Sequence, residues 1–403
     1  MLHRLRWLLF GSPVPTHQER RERLDNPRAL GVFSPDSLSS IAYSNQEIFL
    51  GLVVAGSAAL ALSFPISLAI VGLLVILSLS YFQTIQAYPT GGGSYLVARE
   101  NLGTIFGLVA GAALLLDYLL TAAVSLSAAV AAIASAFPIL LEYRAPMALF
   151  FLALITLVNL RGVHGTGNVI SVPVYGFLLS YLVMLIFGLI QILRGKLVAV
   201  GYSDIPATQP LTLFLILHTF STGCTALTEI EAISNGVPAF RPPEAKNAGK
   251  TLIVMAVIMA GLFLGSMGLT QYLGVTPDSQ ETILSALARQ IFGGGLPYLI
   301  IQITTMGILV VAANTSFAGF PRVSSFLARD RFLPRQFLAV GDRLVFNNGI
   351  LFLALTCGVL IIMFDADTHK LVPLFAVGAF LAFFLSQTGM VFHWFKTRRK
   401  AGA

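Results

Sequence analysis

Residues 103–136 read GTIFGLVAGAALLLDYLLTAAVSLSAAVAAIASA. The run holds a single charged residue, Asp117, with about 14 mostly apolar residues before it and about 19 after it. About 20 such residues cross a bilayer. The stretch is therefore long enough to span while tilted, or to extend into water. The rest of the chain repeats the pattern. Of 403 residues, 56% are hydrophobic and 11% charged, with 36 Gly and 30 Phe. The mean hydropathy is +0.83. An ordinary soluble domain carries about 25% charged residues. This composition describes an all-α integral membrane protein. It excludes a soluble enzyme, a disulfide scaffold and a disordered chain.

Working outward from that run, ten spans are read at roughly 36–62, 65–87, 103–136, 146–160, 168–193, 211–235, 250–274, 296–326, 349–364 and 371–394. Breakers separate them: Pro89-Thr90-Gly91-Gly92-Gly93, Gly162 to Gly167, Pro238 to Pro243, Gly293-Gly294-Gly295 and Asn347-Asn348-Gly349. With a cytoplasmic N-terminus, 20 of the 25 Lys and Arg residues fall on the inner side. That split predicts a multi-pass protein of the cell membrane with both termini cytoplasmic. It also accounts for the net charge of +7 without a nucleic-acid partner. Lys396, Arg398, Arg399 and Lys400 read as a stop-transfer signal and an anchor to anionic lipid. No cleavable signal peptide is expected in the polar, Arg-rich residues 1–30, whose apolar stretch is only Trp7-Leu8-Leu9-Phe10.

Ten spans divide into two inverted halves of five, the plan of many secondary transporters. The expected organisation is a cytoplasmic segment at 1–30, a transporter core at 31–394 and a short basic cytoplasmic tail at 395–403. Within the core, 31–193 is the first repeat and 211–394 the second. Each half opens with a span expected to be interrupted beside the substrate. Spans one and six are therefore where polar residues matter.

Ionisable groups at bilayer depth are functional candidates. They are Asp36 and Glu47 in span one, Asp117 in span three, and Glu229 and Glu231 in span six. No Lys or Arg lies near the middle of any span. Carboxylates without basic partners point to a cation, or to carboxyls that hold a proton. Asp117, Thr121 and Ser125 are four apart and form one helical stripe, with Tyr118 alongside. Asp36, Ser39 or Ser40, and Tyr43 share a face of span one if it is helical there. Thr228 and Glu231 are three apart. Carboxylate, hydroxyl and phenol oxygens are hard ligands that suit an alkali cation. Membrane Ser and Thr also bond back to their own helix, and the plainer reading of Asp36 and Glu47 is that they lie close enough to an interface to be solvated. Glu229 and Glu231 point in different directions on a helix. His218 reads as a packing or gating residue. Cys224 and Cys357 read as small apolar side chains, without metal-ligand spacing. No catalytic motif or phosphate loop is found and no cofactor is expected, so the chain is read as a non-enzyme.

Four stretches carry a resemblance. They are Tyr88-Pro89-Thr90-Gly91-Gly92-Gly93-Ser94-Tyr95, Asn159-Leu160-Arg161-Gly162-Val163, Glu231-Ala232-Ile233-Ser234-Asn235-Gly236-Val237-Pro238, and Ser325-Phe326-Leu327-Ala328-Arg329-Asp330-Arg331-Phe332-Leu333-Pro334. In this order they resemble the amino acid–polyamine–organocation superfamily. The resemblance implies a LeuT-like five-plus-five inverted repeat, with helices one and six broken and alternating access. Amino-acid permeases of that group carry a Gly-x-Gly break in span one. This chain has Ser34-Pro35-Asp36-Ser37-Leu38-Ser39-Ser40-Ile41-Ala42-Tyr43 instead, and an Asp there repels a substrate carboxylate.

That stretch, with Asp117-Tyr118 and 226–235, is similar to KimA-type potassium importers. The resemblance implies potassium held by Asp36, Tyr43, Asp117, Tyr118, Thr121, Ser125, Thr228 and Glu231. It further implies proton symport, with Glu231, Glu229 or Asp117 coupling the proton. A homodimer is compatible with it. This sequence departs from the pattern at Glu229, where the family has Gly, and at Phe375, where a Tyr is expected. It also stops soon after span ten, without spans eleven and twelve or a C-terminal domain. The alternative reading is a proton-coupled amine, polyamine or amino-acid permease of the same fold, the buried acids holding an ammonium group. A channel or a non-transporting sensor is a third class.

Overall fold

The computed structural model describes residues 23–91, 93–161, 167–202, 204–276, 281–341 and 345–401. The helices, in chain order, are α1 (Asn26–Phe33), α2 (Pro35–Ser39), α3 (Ile41–Val53), α4 (Ser63–Ala87), α5 (Ser94–Leu102), α6 (Thr104–Ala136), α7 (Arg144–Leu160) and α8 (Gly167–Leu193). They continue as α9 (Leu213–Gly223), α10 (Glu231–Asn235), α11 (Glu244–Tyr272), α12 (Ile283–Phe292), α13 (Leu296–Arg329), α14 (Asn347–Met363) and α15 (Thr368–Ala401). Short 3-10 turns precede α4, α7 and α10. No strand occurs among the described residues.

Among the described residues, eight helical stretches are long and apolar enough to cross a membrane. They match all the expected spans but the first and the ninth. The ninth is a shorter apolar helix, Asn347–Met363. The first differs most from its expected bounds of 36–62. Helix begins earlier, at Asn26, and stops at Val53. Residues Ser57–Leu62 form a 3-10 turn that runs on into α4 and belongs to the second span. Hydropathy alone joined the two because the turn between them, Ser57-Ala58-Ala59-Leu60, is itself apolar. The boundary expected at residue 31 is likewise crossed by α1, which packs on α8. The basic residues after 394 continue α15 to Ala401. Gly92 and the loop 162–166, which carried two of the motifs, lie outside the described residues.

The first span breaks for local reasons. Pro35 has no N–H to continue the helix before it. Four serines then bond the backbone rather than their neighbours. Ser34 Oγ donates to the Leu30 carbonyl, Ser39 Oγ to Asp36 O at 3.0 Å, Ser40 Oγ to Ser37 O at 2.7 Å and Ser44 Oγ to Ser40 O at 2.7 Å. Such bonds compete with the helical ladder and bend it.

The sixth span breaks outright. After α9 the chain tightens into a 3-10 turn, Cys224–Leu227. Thr228 is extended at φ −67°, ψ 156°, and Glu229 is left-handed at φ 62°. Helix resumes at α10. The start of the first broken span and the end of the sixth are tied together. Leu24 N–H donates to Ala239 O at 2.8 Å, Arg241 N–H donates to Leu24 O at 3.0 Å, and the rings of Phe33 and Phe240 stack at 5.5 Å.

Helix α6 is the axis of the molecule, packed by α5, α7, α13 and α15. Of its most apolar window 78% is buried, against 17% for Pro138–Leu160. Lipid offers no hydrophobic drive between helices, so small residues decide how closely they approach. The Ala- and Ser-rich second half of α6, including the fully buried Ala122, Ala123 and Ala129, meets this need.

Candidate functional site

Four of the five acids expected at bilayer depth are enclosed here, and the fifth, Glu47, is buried elsewhere. Asp36 is 1% exposed, Asp117 and Glu231 2%, and Glu229 3%. A carboxylate at the centre of a bilayer costs about 3 kcal/mol or more, so each needs a compensating partner. Thr315 of α13 supplies one, donating to Asp36 Oδ2 at 3.1 Å. Asp36 Oδ1 has no partner within the protein. The Asp117 and Glu229 carboxyls lie within hydrogen-bond reach of each other. One oxygen of each, Asp117 Oδ1 and Glu229 Oε1, is buried without a partner.

Helix α6 delivers the rest of the polar stripe. Thr121 and Ser125 follow Asp117 at one-turn intervals, both 1% exposed, and neither hydroxyl has a hydrogen-bond partner. Neither bonds back to its own helix, unlike Ser127, whose Oγ donates to Ala123 O at 2.8 Å. The Tyr118 ring is held against Gly319 of α13, where a Cβ would overlap it. The Tyr43 phenol is buried in the field of Asp36, Asp117 and Glu229. Thr228 is fully buried, and its Oγ1 donates to Thr225 O at 2.8 Å. The broken first span, α6 and the break in the sixth thus bring Asp36, Tyr43, Asp117, Tyr118 and Glu229 to one place, with Thr228 next to Glu229 in the chain.

Glu231 lies close enough to act on Asp117 and Glu229 but is held by other helices. Its Oε2 accepts from Tyr81 Oη of α4 at 3.2 Å and from Ser94 Oγ of α5, and Asn235 lies beside it. Its Oε1 has no partner. Glu47 is buried, not solvated at an interface. It accepts from His369 Nδ1 at 2.6 Å and stands with Gln46 near the start of α15, outside this cluster. Phe375, where a Tyr was expected, is fully buried. His218 is exposed on α9, and Cys224 and Cys357 are buried thiols.

Sequence reasoning missed Thr315, Tyr81 and Ser94. Thr315 carried a signal, the run Asn314-Thr315-Ser316 inside an apolar span. Ser94 stood in a quoted motif whose glycines drew the attention. Beyond the membrane-spanning helices, α5 carries a second cluster. Tyr95 Oη and Arg99 both donate to Asp330, just past α13. Burial and the Asp330 carboxylate push the Tyr95 phenol up to about 12, so it remains a donor.

The amino acid permease family model matches residues 34–402. The potassium transporter KimA of Bacillus subtilis (strain 168) is 44% identical over 402 residues, 99% of this chain and 66% of that protein. The chain thus spans just under two thirds of that relative's length. A crystal structure of a mutant manganese transporter from Eremococcus coleocola aligns over 93% of this chain and 79% of that one, at 12% identity and a TM-score of 0.38. On the family model's match, which runs from the first broken span to the end of α15, the chain belongs to the amino acid permease family.

Proposed function

We propose that the protein is a secondary active transporter that imports potassium by proton symport through alternating access. The observation that carries this reading is the Asp117–Thr121–Ser125 stripe. Asp117 Oδ1, Thr121 Oγ1 and Ser125 Oγ are buried without a protein partner, and the Asp117 carboxyl meets Glu229 at the break in the sixth span. The ion is held by Asp36, Tyr43, Asp117, Tyr118, Thr121, Ser125 and Thr228, with Glu231 completing the set. Glu231 is the first choice for the coupled proton, and Glu229 and Asp117 are the others. Among the described residues no buried Lys or Arg pairs with these acids, which supports a cationic cargo.

Among the described residues no three Asp, Glu, His or Cys side chains converge as a metal group. A mixed set of carboxyl, hydroxyl and phenol oxygens suits a monovalent ion better than a divalent one. The likeness to a protein named as a potassium transporter supports the same cargo.

The architecture behind this reading is a LeuT-like five-plus-five repeat. Residues 31–193 form one half and 211–394 the other, each opening on an interrupted span. The excess of inner Lys and Arg supports cytoplasmic termini. The second reading, an amine or amino-acid permease, draws on the family's name. The serine-rich first break and Asp36 stand against a carboxylate-bearing substrate. Competition separates the two. Rubidium uptake into vesicles that potassium blocks and amines leave untouched supports potassium. Uptake of an amine without rubidium moves the cargo to the second reading.

A further inference from the structure

Helix α3, helix α12 and the start of α15 meet at the end of the molecule read as outer. They are joined by a hydrogen-bond chain that runs in one direction. Ile283 N–H of α12 points at Gln46 Oε1 at 3.4 Å. Gln46 Nε2 faces His369 Nε2 at 3.1 Å. His369 Nδ1 faces Glu47 Oε1 at 2.6 Å. The direction follows from donor chemistry. A backbone amide only donates, so the Gln46 carbonyl must face Ile283. The Gln46 amide NH2 must then face the imidazole, whose Nε2 has to accept. The single imidazole proton therefore sits on Nδ1 and is given to Glu47.

From this chain we infer that His369 is a proton-operated bolt on the outer face, closed when neutral and opened by a second proton. That proton can add only at Nε2, where it meets the Gln46 amide hydrogens head-on. Turning Gln46 over relieves that clash and creates the same one against Ile283 N–H. Unturned, Gln46 loses its link to His369 of α15; turned, it regains that link and loses the one between α3 and α12. The His369–Glu47 link survives, because the carboxylate balances the imidazolium.

The charges around the bolt are few. Glu47 on α3 faces the ring directly. Asp367 lies two residues before it and pairs with Lys370 at 3.3 Å. From α9, His218 acts on Glu47. On α12, Arg289 is paired with Glu281 at 3.0 Å. Arg289 also holds the far side of α12, donating to Ser135 O of α6 at 3.1 Å and lying 4.7 Å over the Tyr298 ring. An Arg keeps its charge at any physiological pH. By turning Gln46 over, acid therefore removes this bond of α12 to α3 while leaving α12 anchored to α6, which is a hinge. The His369 side chain is 39% exposed, so protons reach it from solvent. The role in transport rests on the proposed proton-driven import, whereas the movement itself does not.

The test is a distance measurement between spin labels on α12 and α15, at Gln290→Cys and Leu374→Cys. The native Cys224 and Cys357 are buried, which keeps the labelling clean. Lowering the pH from about 7.5 to about 5.5, across the range in which His titrates, is expected to shift and broaden the distance. His369→Gln offers the same acceptor and donor without titrating, and should hold the neutral distance throughout. His369→Lys, a donor at every pH in this range, should show the acid distance at pH 7.5. An unchanged distance in the His369 background overturns the proposal by itself, and so does an equal shift in His369→Gln. Because no transport is measured, loss of rubidium uptake would count against the import reading alone.

Discussion

The carboxyl of Glu229 lies against the carboxyl of Asp117, and each keeps one buried oxygen without a protein partner. Two carboxylates cannot stay in such contact with both charges unbalanced, so a proton or a cation must stand between them. The pair joins the two halves of the site, one acid from the straight α6 and one from the broken sixth span.

Asp117→Asn keeps the shape of the side chain and removes its charge. With a charged ligand worth about 3 kcal/mol, rubidium uptake should fall on the order of a hundredfold. Expression and elution as a single species should be unchanged. Normal uptake by this variant would remove Asp117 from the ion site.

Glu229 sits at φ 62°, a region that costs a side chain about 1 kcal/mol or more. Glu229→Gly relieves that strain and the contact with Asp117, so thermal unfolding in detergent should move upward. Glu229→Val, branched at Cβ, should move it downward. The reverse order would show that the left-handed turn is not strained.

Glu231 is held by Tyr81 and Ser94, one hydroxyl from each of two helices. As the first choice for the coupled proton, Glu231→Gln should abolish uptake driven by a pH gradient. Exchange of rubidium for potassium across the same membrane should persist. Loss of both activities would make Glu231 an ion ligand and not a proton carrier.

At the Asp330 cluster, Tyr95 and Arg99 are expected to contribute little to stability. Arg99 is 39% exposed at its side chain, and such pairs give about 0–1 kcal/mol. The Tyr95 bond is lost at high pH, not low. Its folded value stands near 12, above the ordinary 10.0, so its contribution is full below pH 10 and is lost as pH rises toward 12. Tyr95→Phe should therefore lower stability at neutral pH by about 1 kcal/mol or less and flatten the alkaline limb of the profile.

The stripe on α6 was legible in the sequence because a regular helix converts a spacing of four into one face. Asp36 and Glu231 were legible because charge in an apolar run is rare. The position of Glu229 was not. A helical reading pointed it away from Glu231, and only the left-handed turn aims it at Asp117. The first span was misplaced at both ends, because hydropathy does not register a short apolar turn between two helices. The pairing of Glu47 with His369 joins residues 322 apart in the chain, and nothing local announces it.

Rubidium uptake into proteoliposomes under an inward proton gradient tests the central claim most directly. The account predicts accumulation above the outside concentration, blocked by potassium and abolished by a protonophore. Uptake that only equilibrates, or that ignores the protonophore, would contradict proton-coupled import.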